Sequence, residues 1–140
     1  MTDLTLAKNN LGNHSVCLCK DGECIVDDRR GLSPLVGLIS LGADLSGYSV
    51  ADKVVGKAAA LLFVKCNVAV VYAKTLSQSG KAVLDKHGIP VEYDTLADRI
   101  INRDGTDMCP MEKTVADCDD PQRAYELIKN KLASLTAQNQ

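Results

Sequence analysis

The chain has 140 residues, which is enough for one domain and leaves no length for a second. Its composition, 46% hydrophobic and 24% charged, is ordinary for a globular protein in water. A net charge of −2 excludes the strongly basic surface of a non-specific nucleic-acid binder, and four Tyr with one Phe are too few for a base-stacking platform. Six cysteines in so short a chain are unusual, and their positions bear on whether the chain has a metal site or a catalytic site.

The ends of the chain and its apolar runs bear on localisation. Met1–Thr5 lacks the basic flank and the long apolar run of a signal peptide, and residues 1–4 and 136–140 are expected to fray. The longest apolar run, Ala58–Val64, is about a third of what a membrane span requires. We therefore expect a soluble cytoplasmic protein whose cysteines are reduced thiols, metal ligands or catalytic groups rather than a disulfide framework.

The first predicted elements are a weak helix over residues 2–10 and a β-hairpin. Two short apolar runs, Val16–Cys19 and Cys24–Val26, stand on either side of Asp21 and Gly22. Asp-Gly between alternating apolar runs is a strong signal for a two-residue hairpin turn. The sequence therefore predicts two antiparallel strands joined by a tight turn.

This hairpin places three cysteines on one face. With a two-residue turn, Cys19 lies opposite Cys24 as a non-hydrogen-bonded pair with close Cβ atoms, and Cys17 shares their face. The three thiols could bind a soft metal, or Cys19 and Cys24 could oxidise together, but no fourth ligand is evident and the spacing is not that of a zinc ribbon. Use as small hydrophobic residues is the favoured interpretation, and Cys66 and Cys118 are interpreted as structural.

Two helices are predicted between the hairpin and the next strand. Ser33 is interpreted as an N-cap and Pro34 as the first residue of a helix that ends near Leu41. Ser49–Asp52 has the form of a capping box with Asp in place of Glu. It predicts the start of an Ala-rich central helix that ends near Lys65.

The second half of the chain predicts a strand–helix–strand unit followed by helices. Val68–Tyr72 and Ile89–Tyr93 are typical of strands, and Ser77–His87 between them is a helix closed by Gly88. Listed in order, the remaining predictions are a short helix or strand over residues 95–101, a turn-rich loop over 102–107, a helix over 109–117, and a last helix from residue 120 with Ala124, Ile128, Leu132 and Leu135 on one stripe. Strand–helix–strand implies a parallel pair, so the predicted fold class is α/β, a three-layer α/β/α arrangement with a mixed sheet.

Two segments, Ala51–Leu62 and Ile101–Lys113, resemble motifs of a family of bacterial and archaeal proteins of unknown function, DUF1893. The resemblance extends over roughly residues 5–135, which fits a single domain over 1–140. It implies a cytidine-deaminase-like fold, and it implies the fold more firmly than any activity.

The resemblance to a deaminase-like fold raises the question of zinc chemistry. Zinc deaminases hold the metal with a His or Cys on the central helix and with two Cys in a Pro-Cys-x-x-Cys pattern, while a Glu beside the first ligand moves protons. On the corresponding helix this chain has Lys57 and Ala59, and its second motif has the order Cys-Pro-Met-Glu from Cys109. We therefore predict no metal site of the deaminase type, no cofactor and no hydrolytic deamination by that route. Stoichiometric zinc in the purified protein would contradict this.

Cys109 is the first candidate site residue. If Pro110 opens a helix, Cys109 is its N-cap, beside unpaired N–H groups and the positive end of the helix, a setting that favours a reactive thiolate or a bound anion. The alternative is a small residue packed at a turn. Glu112, one turn into the helix, is either a capping carboxylate, which is favoured, or a polar group in a cleft.

Two further candidates are basic. Lys57 either reaches solvent or points into a cleft, where a desolvated Lys could act as a base, and Gly56 beside it permits the close approach of a ligand or another backbone. Arg29 and Arg30 precede the Ser33 helix and could bind a phosphate or carboxylate. A solvated loop with surface ion pairs is the favoured interpretation of this arginine pair.

We predict that a cleft beside the start of the Ser49–Lys65 helix and the Gly105–Lys113 loop and helix binds a small anionic ligand, a nucleotide or a related phosphorylated metabolite, by analogy of fold. Cys109, Lys57 and Glu112 are the candidate catalytic residues. The candidate ligand-binding residues are Asp52, Lys53, Gly56, Asn102, Arg103, Gly105, Thr106, Met108, Lys113, Arg29 and Arg30. The alternatives are a thiol enzyme that uses Cys109 and a regulatory or assembly protein. A homodimer is left open, and neither nucleic acid nor membrane is an expected partner.

Overall fold

The computed structural model describes residues 2–29, 31–101, 105 and 107–138, with side chains described up to residue 135. Five strands and six helices lie in this part of the chain. In chain order they are α1 (Asp3–Leu11), β1 (Val16–Lys20), β2 (Glu23–Asp27), α2 (Ser33–Ser40), β3 (Ser49–Val55), α3 (Lys57–Cys66), β4 (Val70–Ser77), α4 (Gln78–Lys86), β5 (Val91–Ala97), α5 (Pro110–Thr114) and α6 (Pro121–Gln138). None of the described helices is both long enough and apolar enough to cross a membrane.

The strands form one mixed sheet in the order β2-β1-β3-β4-β5. The β1–β2 and β1–β3 pairs are antiparallel, and the β3–β4 and β4–β5 pairs are parallel. The predicted mixed sheet is therefore confirmed. Because β3, β4 and β5 run in the same direction, Val55, Ser77 and Ala97 finish at the same end of the sheet, called below the carboxyl end.

The two faces of the sheet are covered unequally. On one face α1 packs Ala7 and Leu11 against Cys17, Ala51 and Tyr72. Neighbouring strand residues point the other way, as strand geometry requires, into a larger core built with α2 to α6. Phe63 is the largest side chain that is completely buried there.

The last helix follows its predicted stripe. Ala124 and Ile128 of α6 are completely buried, and Leu132 and Leu135 pack against the same core. Burial of one apolar face accounts for most of the stability of such a helix, since isolated helices are marginal in water.

The prediction of a helix from Ser49 is wrong. Ser49–Val55 is strand β3, and the helix that follows begins only at Lys57. β3 pairs with β1 on one side and with β4 on the other, so Ala51 lies between Cys17 and Tyr72. These two ladders of hydrogen bonds outweigh the local capping-box pattern, because sheet pairing is decided by residues distant in sequence.

Several boundaries differ from the sequence predictions, among them that of β4, which runs over Val70–Ser77 rather than Val68–Tyr72. Ser33 is the first residue of α2 rather than its N-cap, and Leu32 caps without a side-chain hydrogen bond. Residues 95–97 complete β5. Thr2 is the N-cap of α1, because its Oγ1 accepts a hydrogen bond from the Thr5 N–H at 3.1 Å.

The hairpin has the predicted register, with Cys19 opposite Cys24. Asp21 and Gly22 both have positive φ, 52° and 83°, as a tight hairpin turn demands. Cys19 and Cys24 form a disulfide across the strands with a Cα–Cα distance of 4.2 Å. The expectation that all six cysteines lack disulfides is therefore wrong for this pair. The close Cβ atoms of a non-hydrogen-bonded pair explain why these two residues can bond.

Candidate functional site

Three helices begin close together at the carboxyl end of the sheet. α3 follows β3 through the single residue Gly56, α4 follows β4 directly at Gln78, and α5 returns to the same place at Pro110. In open α/β sheets, ligands bind in the crevice outside the carboxyl ends of the strands. The carboxyl end of the sheet is therefore the candidate ligand site.

Glu112 joins two of these helices. Its Oε1 accepts a hydrogen bond from the Lys57 N–H at 2.7 Å, and its Oε2 accepts one from the Ala58 N–H at 2.8 Å. Glu112 is only 7% exposed. Gly56, the N-cap of α3, has no side chain to satisfy these donors, so a carboxylate from α5 does so. Glu112 is a capping carboxylate, as predicted, but it caps α3 rather than α5, the helix that contains it.

Gly56 makes this junction possible because it lacks a Cβ. A Cβ at this position would lie 2.0 Å from Glu112 Oε1 and 2.9 Å from Ile100 Cγ1. From the other side, a Cβ on Gly80 of α4 would lie 3.0 Å from the Gly56 carbonyl. The close approach predicted for Gly56 is therefore present, and the groups that approach are protein atoms.

Lys57 is the first residue of α3 rather than a residue in the middle of an apolar segment. Its Nζ donates a hydrogen bond to the Ala116 carbonyl at 2.9 Å and forms an ion pair with Asp119 at 3.1 Å. The Lys57 side chain is 15% exposed, whereas that of Asp119 is 77% exposed. The ammonium group is thus fixed in place at the rim of the junction, with part of its charge balanced by an exposed acid.

Two adjoining depressions open beside Lys57 and Ser79. The first has a volume of about 240 Å³ and is lined also by Arg99, Ile100, Met108, Glu112 and Ala116. The second has a volume of about 230 Å³ and is lined also by Ala82, Val83, Lys86 and Asp119. The sequence predictions missed Ser79, Lys86 and Arg99. The usable signal was that Ser79 and Arg99 come just after the ends of β4 and β5.

Cys109 is the N-cap of α5, as predicted, but its thiol makes no capping hydrogen bond. The residue is half-buried and packs against the main core. Its N–H donates to the Ile100 carbonyl at 2.9 Å, which ties the start of α5 to the segment after β5. α5 is only five residues long.

Two candidates on β3, Asp52 and Lys53, do not join this group. Asp52 lies between Val16 and Ala73 in the sheet, and one of its carboxylate oxygens accepts a hydrogen bond from the Val54 N–H at 3.4 Å. Burial raises the pKa of the Asp52 carboxyl to about 7. The prediction that Asp52 and Lys53 stand at the start of the central helix is wrong, because both belong to the strand before it.

Arg29 also lies apart from the junction. It forms an ion pair with Asp27, with Nη2 and Oδ2 2.8 Å apart, and these side-chain hydrogen bonds hold the pKa of the Asp27 carboxyl below its usual value. A Cβ on Gly37 would touch the guanidinium at 3.3 Å, so the group also lies over α2. The Arg29–Asp27 pair agrees with the favoured interpretation of the sequence, a solvated loop with surface ion pairs.

The remaining candidates lie around the segment before α5. Lys113 forms an ion pair with Asp107, Met108 lines the first depression, and Gly105 is exposed with a positive φ of 73°. Arg30, Asn102, Arg103 and Thr106 lie outside the described residues.

The mixed five-strand sheet with helices on both of its faces defines an α/β protein. The profile of a family described as a domain of unknown function, DUF1893, matches residues 6–132. The chain therefore belongs to the DUF1893 family, which confirms the resemblance seen in its two motifs. The crystal structure of a DUF1893 family protein (TM1506) from Thermotoga maritima is similar, with a TM-score of 0.81 and 28% sequence identity over 96% of this chain and 91% of that chain. No curated protein matches the chain.

Proposed function

We propose that the carboxyl end of the sheet binds a small anionic ligand, a nucleotide or a related phosphorylated metabolite, and does not carry out zinc-dependent deamination. The observation that carries this proposal is the meeting of Lys57, Lys86 and Arg99 with the Ser79 side chain around the two depressions. Guanidinium and ammonium groups bind phosphate oxygens, the guanidinium in a bidentate manner.

The acidic groups nearby leave room for an anion. The Glu112 carboxylate already accepts two N–H groups at the positive end of α3, and both interactions offset its negative charge. Asp119 is paired with Lys57 and is mostly exposed, so it can turn toward solvent when a ligand competes for the ammonium. The two depressions together fall in the lower part of the range of volumes, about 300 to 1,000 Å³, that small-molecule sites usually have.

The cytidine-deaminase-like fold is part of the same proposal. Two segments that hold one zinc ion in deaminases must lie in contact, and the corresponding segments here are the start of α3 and the start of α5. Support comes from Glu112, which links them through Lys57 and Ala58. A carboxylate joins the two helix starts where a deaminase would use a shared metal. Superposition of an experimental structure of this chain on a zinc deaminase tests this point, and helix starts that do not coincide would contradict it.

A panel of nucleoside phosphates and inorganic phosphate tests the ligand proposal by thermal shift. A ligand that binds only the folded protein raises the melting temperature, and the rise grows with the logarithm of the ligand concentration above its Kd. Arg99→Gln and Lys86→Gln should each weaken binding about fivefold, as expected for the loss of one partly exposed charged contact worth about 1 kcal/mol. Arg123→Gln is the control, because Arg123 pairs with Glu126 on α6. No shift with any probe, or equal weakening in the control, would contradict the proposal.

A thiol enzyme that uses Cys109 is the second candidate. The observation in its favour is that Cys109 begins the helix that carries Glu112 into the junction. Cys109→Ala separates the two functions. A binding protein keeps its affinity for the nucleoside phosphate in this variant, whereas a thiol enzyme keeps binding and loses turnover of the ligand.

A further inference from the structure

The hairpin of β1 and β2 brings three cysteine sulfurs together at the other end of the sheet. The ligand atoms of Cys17, Cys19 and Cys24 all lie within 4.8 Å of one another. Within the described residues, no other three His, Cys, Asp or Glu side chains are placed so that they could share a metal ion. Cys19 pairs with Ser49, the first residue of β3, so this cluster is separate from the junction beyond the last residue of that strand.

The cluster has a buried side and an open side. Cys17 and Cys19 are completely buried beneath α1, whereas Cys24 on the edge strand β2 is exposed. The Asn10 side-chain amide of α1 lies 3.9 Å from the Cys24 sulfur and can donate a hydrogen bond to it. An ion could therefore enter at Cys24 and reach a site lined by the other two sulfurs.

We propose that the reduced hairpin binds one Cu(I) ion through the sulfurs of Cys17, Cys19 and Cys24. Thiolates are soft ligands that select soft ions such as Cu(I). Structural zinc sites in proteins are almost always closed by four ligands, and the described residues supply only three here.

The spacing of the sulfurs suits three-fold coordination. Three sulfurs in a plane around one ion, each at about 2.3 Å as in zinc–sulfur bonds, would be about 4 Å apart. The Cys17 and Cys19 sulfurs are already 3.7 Å apart, since residues two apart on a strand face the same way. Cys24 lies opposite Cys19 in the register, so its sulfur can take the third position once the disulfide is open.

The site forms in two balanced steps. A dithiol reductant gives two electrons and two protons to the Cys19–Cys24 disulfide, which becomes two thiols while the reductant becomes a cyclic disulfide. Three thiols then bind Cu(I) and release three protons, which leaves a complex with a charge of about −2. The Asn10 amide beside Cys24 is a neighbouring donor that stabilises this negative charge.

Thiol–disulfide exchange is less well supported than metal binding. Its nucleophile would be Cys17, which faces Cys19 across 3.7 Å. Burial raises the pKa of the Cys17 thiol, so the reactive thiolate is scarce. A metal ion does not depend on that free thiolate, because the energy of the bonds to sulfur drives the release of the proton.

Anaerobic titration tests the proposal. The protein is reduced with dithiothreitol, freed of it by gel filtration under argon, and titrated with Cu(I) against a chromophoric Cu(I) chelator. We expect one Cu(I) per chain with three sulfur neighbours in X-ray absorption spectra. Cys24→Ser should weaken binding by more than about 100-fold, since even the loss of an outer-shell partner costs about 10- to 100-fold. Cys24 is exposed, so this variant should fold.

Three controls make the result decisive. Cys118→Ser should bind Cu(I) as the unchanged protein does, and the protein with its disulfide intact should not bind. Cys17→Ala is a second test that keeps both cysteines of the disulfide. Binding by Cys24→Ser or Cys17→Ala as tight as that of the unchanged protein, binding by the oxidised protein, or a preference for Zn²⁺ over Cu(I) at these cysteines would each overturn the proposal.

Discussion

Two carboxylates, in two different regions of the protein, each accept hydrogen bonds from the N–H groups of two consecutive residues. Asp3 of α1 accepts the N–H groups of Asp21 and Gly22 at 3.0 and 3.1 Å, and so holds the hairpin turn. Glu112 accepts those of Lys57 and Ala58 at 2.7 and 2.8 Å, and so holds the start of α3. Asp3 is partly exposed, whereas Glu112 is buried.

Burial raises the energetic cost of losing the same pair of hydrogen bonds. Water can replace the Asp3 carboxylate at the hairpin turn, so little is lost when that side chain is removed. At the start of α3 the hydrogen bond of the Ala58 N–H is buried and that of the Lys57 N–H is part-buried. Water can replace the Glu112 carboxylate there less well, and an unsatisfied buried donor costs its full desolvation penalty. The carboxyl end of the sheet therefore depends on one side chain, and the hairpin does not.

The largest expected effect is that of Glu112→Ala. It should lower the free energy of unfolding by about 4 kcal/mol, because it removes two hydrogen bonds to a charged group, each worth about 1.5 to 3 kcal/mol. Asp3→Ala should cost only about 1 kcal/mol, as for an exposed cap. Urea unfolding of both variants measures the difference. Equal losses of stability would show that the two regions do not differ in the way described.

Gly56→Ala tests the same junction by steric means. Its new Cβ would lie 2.0 Å from Glu112 Oε1, so the carboxylate must move and the cap is lost, at a cost of about 3 kcal/mol. Gly37→Ala is the control, because there the nearest atoms belong to the Arg29 side chain at 3.3 Å, and Ala in a helix interior gains up to about 1 kcal/mol over Gly.

The double variant sharpens this test. With Glu112→Ala already present, the new Cβ of Gly56→Ala has much less to displace. In a double-mutant cycle the double variant should therefore lose less free energy of unfolding than the two single variants lose together. Full additivity, measured by urea unfolding, would contradict a direct contact between the two positions.

The remaining stability effect concerns Asp52, between the two regions, and it depends on pH. The unfolded carboxyl loses its proton near pH 4, but the folded one keeps it to about pH 7. Between these values the folded state holds more protons, so the free energy of unfolding falls as the pH rises, by at most about 1.4 kcal/mol per pH unit. Above pH 7 this contribution is constant.

Asp52→Asn should remove that fall, whereas Asp117→Asn, at an exposed position, should keep it. Urea unfolding at several pH values between 4 and 8 compares the slopes. A slope in Asp52→Asn equal to that of the unchanged protein would show that the Asp52 carboxyl ionises normally in the fold.

The two regions also differ in how far the sequence predicted them. The hairpin, its turn and the Cys19–Cys24 register followed from Asp-Gly between two apolar runs, because all of these residues are close in sequence. Its disulfide was one of three outcomes left open for these cysteines and not the favoured one, and the chain as a whole was expected to have no disulfide framework.

The carboxyl end of the sheet was predicted only in part. Lys57 and Glu112 were chosen from the motifs, but the bond between their segments joins residues 55 apart, and no local pattern carries such a contact. The start of α3 was misplaced because Ser49–Val55 is a central strand, and its identity depends on pairing with β1 and β4. Arg99 and Ser79 were missed because the sheet order that places them was unknown.

The most direct test of the proposed ligand site is a nuclear magnetic resonance titration of ¹⁵N-labelled protein with adenosine and cytidine monophosphate. Binding at this end should shift the backbone amides of Lys57, Ser79 and Arg99. The amides of Cys19 and Cys24 should be unchanged, because these residues lie near the start of β3, about 20 Å along the strand from its end. No shift at millimolar nucleotide, or shifts centred on the hairpin, would contradict a ligand site at the carboxyl end of the sheet.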